Sequence, residues 1–173
     1  DDLKELGPYI KSFDLTRNND ITKCKGKAGK MTGRITNKHL KYLTNLTSLN
    51  LECNSCITDN VVKLFTNLTS LYLEEDQKVT DKAVSLLTNL KHLYTGVENS
   101  RITNKTLKSL TNLTSLQYTE LTDDTLLSLT NLTYLDLECC DHVSNTVIKS
   151  LPKLCMLSLQ ANEIISNETL LTL

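Results

Sequence analysis

The chain has 173 residues, of which 39% are hydrophobic and 23% charged, and its formal net charge at pH 7 is −1. A net charge this close to zero predicts neither a nucleic-acid-binding nor a membrane-surface protein. A membrane-spanning helix needs about 20 consecutive apolar residues. No apolar run in the sequence approaches that length, and no signal peptide is visible. The length suits a single domain.

The chain opens with DDLKEL, which we expect to form a frayed or short helical start. An apolar pattern follows, in which Ile10, Phe13 and Leu15 stand at spacings of three and two. The same pattern returns at Leu46, 36 residues after Ile10. Later copies lie closer together, so this first copy carries about 14 additional residues.

Those additional residues fall near 20–33 (DITKCKGKAGKMTG), a segment rich in Lys and Gly. Its GKAGK is similar to a phosphate-binding loop, but the first Gly lies too close to the GK pair, and no strand leads into the segment. We therefore expect a solvated loop, with a contact to a partner or an anion as the alternative. Its basic residues are Lys23, Lys25, Lys27 and Lys30, with Arg34 beside them.

The segment 46–65, LTSLNLECNSCITDNVVKLF, shows the repeating unit most clearly. Residues 49–51 alternate between apolar and polar, which predicts a short strand. Asn54 then stands where its side-chain amide can bond backbone groups of the turn and of neighbouring coils. Thr58 and Asp59 are favourable N-cap residues, so a short helix is predicted to follow.

This unit recurs along the rest of the chain at spacings of 22, 22, 23, 19 and 22 residues. A single copy cannot bury its apolar stripe, whereas stacked copies bury a continuous one. The leucines that begin the copies are Leu46, Leu68, Leu90, Leu113, Leu132 and Leu154.

A period of this length with L-x-x-L-x-L and a following polar residue is typical of leucine-rich repeats. The longer pattern LxxLxxLxLxxNxxITDxxV resembles the cysteine-containing subclass, found for example in the substrate-recognition arms of F-box ubiquitin-ligase receptors. The resemblance covers roughly residues 8–173, and nothing similar to an F-box precedes the first repeat. The tripeptides that carry it begin at Ile57, Val79, Ile102, Leu121, Val143 and Ile165.

We therefore predict an α/β fold, a right-handed leucine-rich-repeat solenoid of about seven repeats with the shape of a horseshoe arc. A parallel sheet would line its concave face, and short helices would cover its convex face. Residues 1–173 are predicted to form one domain that carries the Lys/Gly-rich insertion near 20–33.

The fourth and fifth repeats depart from this plan. Thr95 takes a leucine position, and the turn after it is one residue longer. Tyr118 then runs almost directly into Leu121, which removes three residues from the next turn. The short copy is expected to change the curvature of the stack locally, with simple drift of the repeat as the alternative.

Cys53 and Cys56 have CxxC spacing and Cys139 and Cys140 are adjacent, as zinc ligands often are. In the predicted solenoid the two pairs are four coils apart, roughly 19 Å at about 4.8 Å per strand. They cannot share an ion whose bonds to sulfur are about 2.3 Å long. Cys140 takes the position of Asn54 and is expected to be a buried thiol. We predict no metal, no cofactor, reduced thiols and an intracellular protein, cytoplasmic or nuclear.

Six Asn-x-Thr sequons favour the alternative of a secreted glycoprotein. Four of them belong to the recurring phrase TNLT, so duplication of the repeat has duplicated the sequon, and we favour the intracellular alternative. The acceptor residues would be Asn45, Asn67, Asn104, Asn112, Asn131 and Asn167.

In such a solenoid, the residues that flank the core leucine of each strand face the concave surface. All charged residues among them are acidic, tyrosines interrupt them, and Ser115, Gln117 and Thr119 are assigned to the same face, whereas the helical side carries lysines. Tyrosine supplies rigid contact area, and carboxylates attract basic partners. The predicted partner-binding residues are Glu52, Tyr72, Glu74, His92, Tyr94, Tyr134, Asp136 and Glu138.

No catalytic residues are predicted. His92 is the only histidine assigned to the concave face, and no Ser or Cys has a His–carboxylate pair at matching repeat positions. Glu52 and Glu74 would be about 5 Å apart between backbones, but no pocket is expected to desolvate a proton that they share. We therefore expect a protein that is not an enzyme.

The sequence thus predicts a protein–protein interaction scaffold that binds a basic or peptide-like partner on an acidic, Tyr-bearing concave face. The family resemblance implies an alternative, the substrate-recognition arm of a ubiquitin-ligase-like adaptor. A self-assembling structural protein is another, because exposed repeat ends or the basic insertion would allow a homo-oligomer. No polar capping segment follows Leu173, so we expect either a longer native chain or a contact at this end. The insertion folding over the acidic face is a further alternative.

Overall fold

A computed structural model describes residues 5, 7–15, 35–75, 78–96 and 101–171 of the chain. The predicted insertion at 20–33 lies outside the described residues, and so does most of the predicted helical start. The basic residues Lys23, Lys25, Lys27, Lys30 and Arg34 are therefore also outside them.

Seven three-residue strands in the described part of the chain form one parallel sheet, in which each strand pairs with the next one in sequence. Phe13 pairs with Leu49, and Leu49 pairs with Leu71, which confirms the alignment of the first repeat with the others. The strands are β1 (Ser12–Asp14), β2 (Ser48–Asn50), β3 (Ser70–Tyr72), β4 (His92–Tyr94), β5 (Ser115–Gln117), β6 (Tyr134–Asp136) and β7 (Met156–Ser158).

A short helix follows each of these strands. The helices begin where the sequence predicts, since Thr58 Oγ1 accepts the N–H of Asn60 at 3.4 Å and Thr80 Oγ1 accepts the N–H of Lys82 at 3.2 Å. The longest helix described has six residues, so no described helix is long enough to cross a bilayer. They are α1 (Asn37–Leu40), α2 (Asp59–Val62), α3 (Asp81–Val84), α4 (Asn104–Ser109), α5 (Asp123–Leu126), α6 (Asn145–Lys149) and α7 (Asn167–Leu170), and a 3-10 helix, Gly7–Tyr9, precedes β1.

Leucines from successive copies form one continuous hydrophobic core between the sheet and the helices. Phe65 is the largest of the fully buried side chains. Thr95 is also fully buried at its leucine position, and its hydroxyl donates to the carbonyl of Gln117 at 3.1 Å, so this polar group keeps a hydrogen bond. The prediction of an α/β solenoid with about seven repeats is confirmed.

The short fifth copy does not shift the sheet. Ser115 pairs with Tyr134 and Leu116 with Leu135, as in the regular copies. Tyr118 fills the leucine position in the core, and its hydroxyl donates to the carbonyl of Ile102 at 2.8 Å. The missing residues are therefore absorbed by the turn between β5 and α5.

In two of the described copies an asparagine that follows the strand organises the turn, as predicted. Asn54 Oδ1 accepts the N–H groups of Cys56 at 2.8 Å and Ile57 at 2.9 Å. Asn162 in the last copy also bonds the neighbouring coil, because its Nδ2 donates to the carbonyl of Cys140 at 2.7 Å. Cys140, at the Asn54 position, is buried, and its Sγ lies 3.7 Å from the carbonyl of Leu121.

The repeated TNLT phrase has a structural role between coils. Asn112 Nδ2 donates to the carbonyl of Thr88 at 2.9 Å, and Asn131 Nδ2 donates to that of Thr111 at 3.0 Å. Asn89, which is not in a sequon, makes the same bond to Thr66 at 2.9 Å. The asparagine is therefore accounted for by the stacking of coils, independently of any glycan.

Candidate functional site

The concave surface is built around two tyrosines that end neighbouring strands. Tyr72 of β3 and Tyr94 of β4 pair in register, so the same position recurs at the strand spacing of about 4.8 Å. Their rings stack with centroids 4.9 Å apart and an interplanar angle of 2°. The two rings form a flat, half-exposed aromatic platform on the third and fourth of the seven described strands.

The far side of this platform is fixed by a neighbouring strand. The hydroxyls of Tyr94 and Ser115 lie 2.5 Å apart and share a hydrogen bond. Ser115 is consequently buried, and so is Thr119, although the sequence assigns both to the exposed concave surface. The prediction that Ser115 and Thr119 are exposed is therefore wrong. Ser115 is buried because the side chain of Tyr94 lies across it.

Tyr134 and Asp136 form a second polar group two strands away. Asp136 Oδ2 accepts hydrogen bonds from the Tyr134 hydroxyl at 3.4 Å and from Gln117 Nε2 at 3.5 Å. Asp136 Oδ1 accepts the backbone N–H of Glu138 at 3.0 Å. Burial, followed by the charge of Asp136, raises the pKa of the Tyr134 phenol.

Three further carboxylates, Glu52, Glu74 and Glu138, stand just after the strands on the same side. Glu74 packs over Gly96, where an added Cβ would lie 2.6 Å from Glu74 Cγ. The absence of a side chain at Gly96 therefore makes room for the glutamate. Burial raises the pKa of the Glu74 carboxyl, and the charges of Glu52, Glu75 and Glu138 raise it further.

The cysteines near this edge are poor nucleophiles. Cys53 Sγ donates to Glu75 Oε2 at 3.2 Å, and this hydrogen bond is the main reason that the pKa of the Cys53 thiol is raised to about 11. Burial raises the pKa of the Cys140 thiol as well. Since the thiolate is the reactive form, neither geometry favours covalent catalysis at neutral pH.

No group of three or more His, Cys, Asp or Glu side chains is placed to hold a metal ion within the residues that the structure describes. His92 is half-buried, on the strand that carries Tyr94. A surface groove elsewhere, at the short copy, is lined by Asn104, Tyr118, Glu120 and His142, and His142 Nε2 lies 3.7 Å from Glu120 Oε2. The short copy is recognisable in the sequence, but its repeat pattern does not predict this groove.

All eight predicted partner-binding residues lie on the described strands or directly after them, and the structure joins several of them by contacts. The basic residues of the insertion are not part of the described chain, so their relation to this face stays a prediction. Alternation within the strands did not predict the contacts of Ser115 and Gly96. Of these, Gly96 carried a signal, since it takes the position that Glu52 and Glu74 occupy in their own copies.

An open parallel sheet with one short helix per strand is the architecture of a leucine-rich-repeat solenoid. No protein-family model and no curated protein matches the sequence. Two solved structures have TM-scores of 0.61. The first is the internalin InlF of Listeria monocytogenes, with 23% identity over 97% of this chain. The second is the yeast Rad7 and Elc1 complex, with 20% identity over 78% of this chain. Internalin C2 of L. monocytogenes has a TM-score of 0.54 and 26% identity over 69% of this chain.

These likenesses show a shared leucine-rich-repeat fold. The chain spans 46%, 42% and 54% of the three matched chains respectively, which is about half of each.

Proposed function

We propose that this chain is a protein-interaction module that binds a basic segment of another protein on its concave face, without catalysing a reaction. The stacked pair of Tyr72 and Tyr94 carries the proposal. Flat aromatic side chains lose little conformational entropy on binding, and they often dominate the energy of an interface.

Charge supports the same choice of partner. The charged residues on the described part of the concave face are acidic, and the pKa of Glu74 is raised partly by the charges of Glu52 and Glu138. Carboxylates that repel one another in this way are relieved by a cationic partner, which also gains in association rate. The described convex helices carry lysines and carboxylates together, as Asp81 and Lys82 show, so they lack the uniform negative charge by which the concave side would attract a basic partner.

The comparisons support an interaction module in general. Rad7 shares the fold and was crystallised with Elc1. In the described residues Cys139, Cys140 and Cys155 are free thiols, in keeping with the proposal of an intracellular protein. We further propose that residues 1–173 act as a single domain.

Replacing both tyrosines of the platform should abolish partner binding. The double variant Tyr72→Ala with Tyr94→Ala removes the stacked rings but leaves the core leucines in place, so the thermal midpoint should change by only a few degrees. Binding is measured by isothermal titration against a partner captured by the wild-type chain.

The matched control is Lys63→Ala with Lys82→Ala on the convex helical side, which should bind as the wild type does. Intact binding by the tyrosine variant, with loss of binding by the lysine variant, would move the site to the convex face and contradict the proposal.

A second proposal is the substrate-recognition arm of a ubiquitin-ligase-like adaptor with cysteine-containing repeats. It is supported by Cys140 at the Asn54 position and by the fold shared with the Rad7 and Elc1 complex. Transfer of ubiquitin to a captured partner, in a mixture with purified ligase subunits, would favour this alternative. A partner that binds without being modified would favour the simple scaffold.

A further inference from the structure

We propose that the concave face selects arginine over lysine, by stacking an arginine guanidinium from an extended partner segment on the outer face of Tyr72. The inference rests on the proposed function and names the side chain that the face recognises. One ring face of Tyr72 is covered by Tyr94. The opposite face is directed towards β2, where the partner residue in register is Asn50.

The side chain of Asn50 leaves space beside the ring of Tyr72. Its Oδ1 accepts the backbone N–H of Glu52 at 2.9 Å, so its side chain folds along its own strand instead of covering the tyrosine ring. The next strand in this row carries Asp14, paired with Asn50. Tyr72 and Asp14 are thus two strands apart, about 9.6 Å at the usual spacing of about 4.8 Å, which admits one planar group stacked against the ring.

Carboxylates lie at the open end of this slot. Glu52 follows β2, and Glu74 follows β3, on the same side of the sheet as the tyrosine. A guanidinium in the slot would therefore lie flat on Tyr72 and direct its N–H groups towards Glu52, because Glu74 packs towards Gly96 on the opposite side of Tyr72. Its positive charge would also offset the repulsion between Glu52 and Glu74.

The arrangement favours arginine for geometric reasons. Guanidinium is planar, stacks on aromatic faces and presents several donors in a rigid fork, whereas the lysine ammonium is a strongly hydrated point charge. An ammonium would satisfy the carboxylates but gain less from the ring. We expect the partner segment to be extended, because the register partners Asp14, Asn50 and Tyr72 form a straight row across successive strands.

The test compares three fluorescein-labelled peptides of equal length, built from repeated Gly-Arg, Gly-Lys or Gly-citrulline units, by fluorescence anisotropy in 150 mM salt. The Gly-Arg peptide is expected to bind the wild-type chain about tenfold more tightly than the Gly-Lys peptide. The uncharged citrulline peptide should bind more weakly than either.

Variants then assign the selectivity to the slot. Tyr72→Leu should bring the Gly-Arg affinity down to that of Gly-Lys, whereas Tyr72→Phe, which keeps the ring, should preserve the difference. Glu52→Gln should weaken both charged peptides. Tyr9→Leu is the matched control, because Tyr9 is 80% exposed and lies outside the sheet, and it should change neither affinity.

Each result is informative. Equal Gly-Arg and Gly-Lys affinities that both fall in Glu52→Gln would overturn the arginine slot and leave the acidic-face function standing. Selectivity that survives Tyr72→Leu would overturn the assignment to Tyr72. Binding of neither charged peptide would overturn the slot and the proposed function together.

Discussion

Four non-glycine residues in the described chain have positive φ, namely Cys53 (55°), Glu75 (55°), Cys139 (54°) and Ala161 (51°). They share one position, in the turn after a strand. The residue that follows closes the turn, as Asn54 does by donating its N–H to the carbonyl of Leu51 at 2.8 Å. A left-handed conformation costs an L-residue about 1–2 kcal/mol. The turn geometry of the repeat therefore imposes strain at four places.

Ala161 offers a test of this strain, because its side chain is exposed and packs little. Ala161→Gly removes the cost of the left-handed conformation. Glycine also gives the unfolded chain more conformational entropy, which lowers the stability by about 0.5–1 kcal/mol. The net result should be a gain in stability of about 0.5 kcal/mol, measured by urea unfolding.

The contrasting variant is Ala83→Gly, at a buried position inside α3 with ordinary helical geometry. It should destabilise the protein, since it loses both a buried methyl group and helix propensity. A loss of stability in Ala161→Gly similar to that in Ala83→Gly would show that the turn carries no such strain.

At the scale of elements, the helix starts are joined by a ladder of side-chain hydrogen bonds. Asp59 accepts the N–H of Thr80 at 2.8 Å and its hydroxyl at 2.7 Å. Asp81 likewise accepts the N–H of Thr103 at 2.8 Å and its hydroxyl at 2.7 Å. Each aspartate is thus the first residue of its own helix and also binds the N-cap threonine of the next helix. Neighbouring repeats are therefore coupled through these hydrogen bonds.

The ladder is interrupted at the short copy. Asn104 takes the position of Asp81, but its Nδ2 donates to the carbonyl of Glu120 at 2.6 Å. Its Oδ1 is buried without a hydrogen-bond partner among the described residues. The deletion of three residues changes the path of the next turn, so the asparagine meets a carbonyl where a regular copy would present an N–H.

Breaking the ladder at Asp81 should weaken the coupling between two repeats. Asp81→Ala removes both acceptors from Thr103 and should cost about 1 kcal/mol, measured by urea unfolding. Asp81→Asn should cost much less, because Asn37 already bonds Thr58 in this way, accepting its N–H at 3.1 Å and donating Nδ2 to its hydroxyl at 2.8 Å. Equal losses in the two variants would assign the effect to charge and not to the hydrogen bonds.

At the scale of the whole molecule, the sheet places carboxylates of separate repeats on the same side. Glu74 responds to the charge of Glu138, which lies three strands away in the sheet order. Because burial and these charges raise the pKa of Glu74, the folded state holds its proton more tightly than the unfolded state, where the pKa of glutamate is about 4.3.

This difference predicts the sign of a pH dependence. The stability contributed by a carboxyl with a raised folded pKa is fully present below the unfolded pKa and is lost as pH rises through the folded pKa. Glu74→Gln cannot ionise, so its stability relative to the wild type should increase from about pH 4 upward and then level off. Urea unfolding at a series of pH values measures the difference, and a gap that shrinks with rising pH would contradict it.

The repeat explains why so much of the fold was predictable. The environment of Leu71 is set by Leu49 and Leu93, its register partners one coil away on either side, and each of these stands in the same pattern. Helix starts were equally local, since Thr58 and Thr80 cap the residues that follow them. The candidate site was predictable only in part, because alternation assigns Tyr72 and Tyr94 to one face but says nothing of their contacts.

The amino-acid sequence by itself determined the solenoid, its register, its helix starts and the acidic row with its tyrosines, because these follow from a period of about 22 residues and from alternation within a strand. Tertiary structure decided the burial of Ser115 beneath Tyr94, the packing of Glu74 over Gly96 and the Asn104 oxygen that has no partner in the described part of the chain. These features depend on where side chains of different coils meet. The fifth copy is three residues shorter than the regular copies, so the pattern of one repeat ceases to predict the contacts of the next.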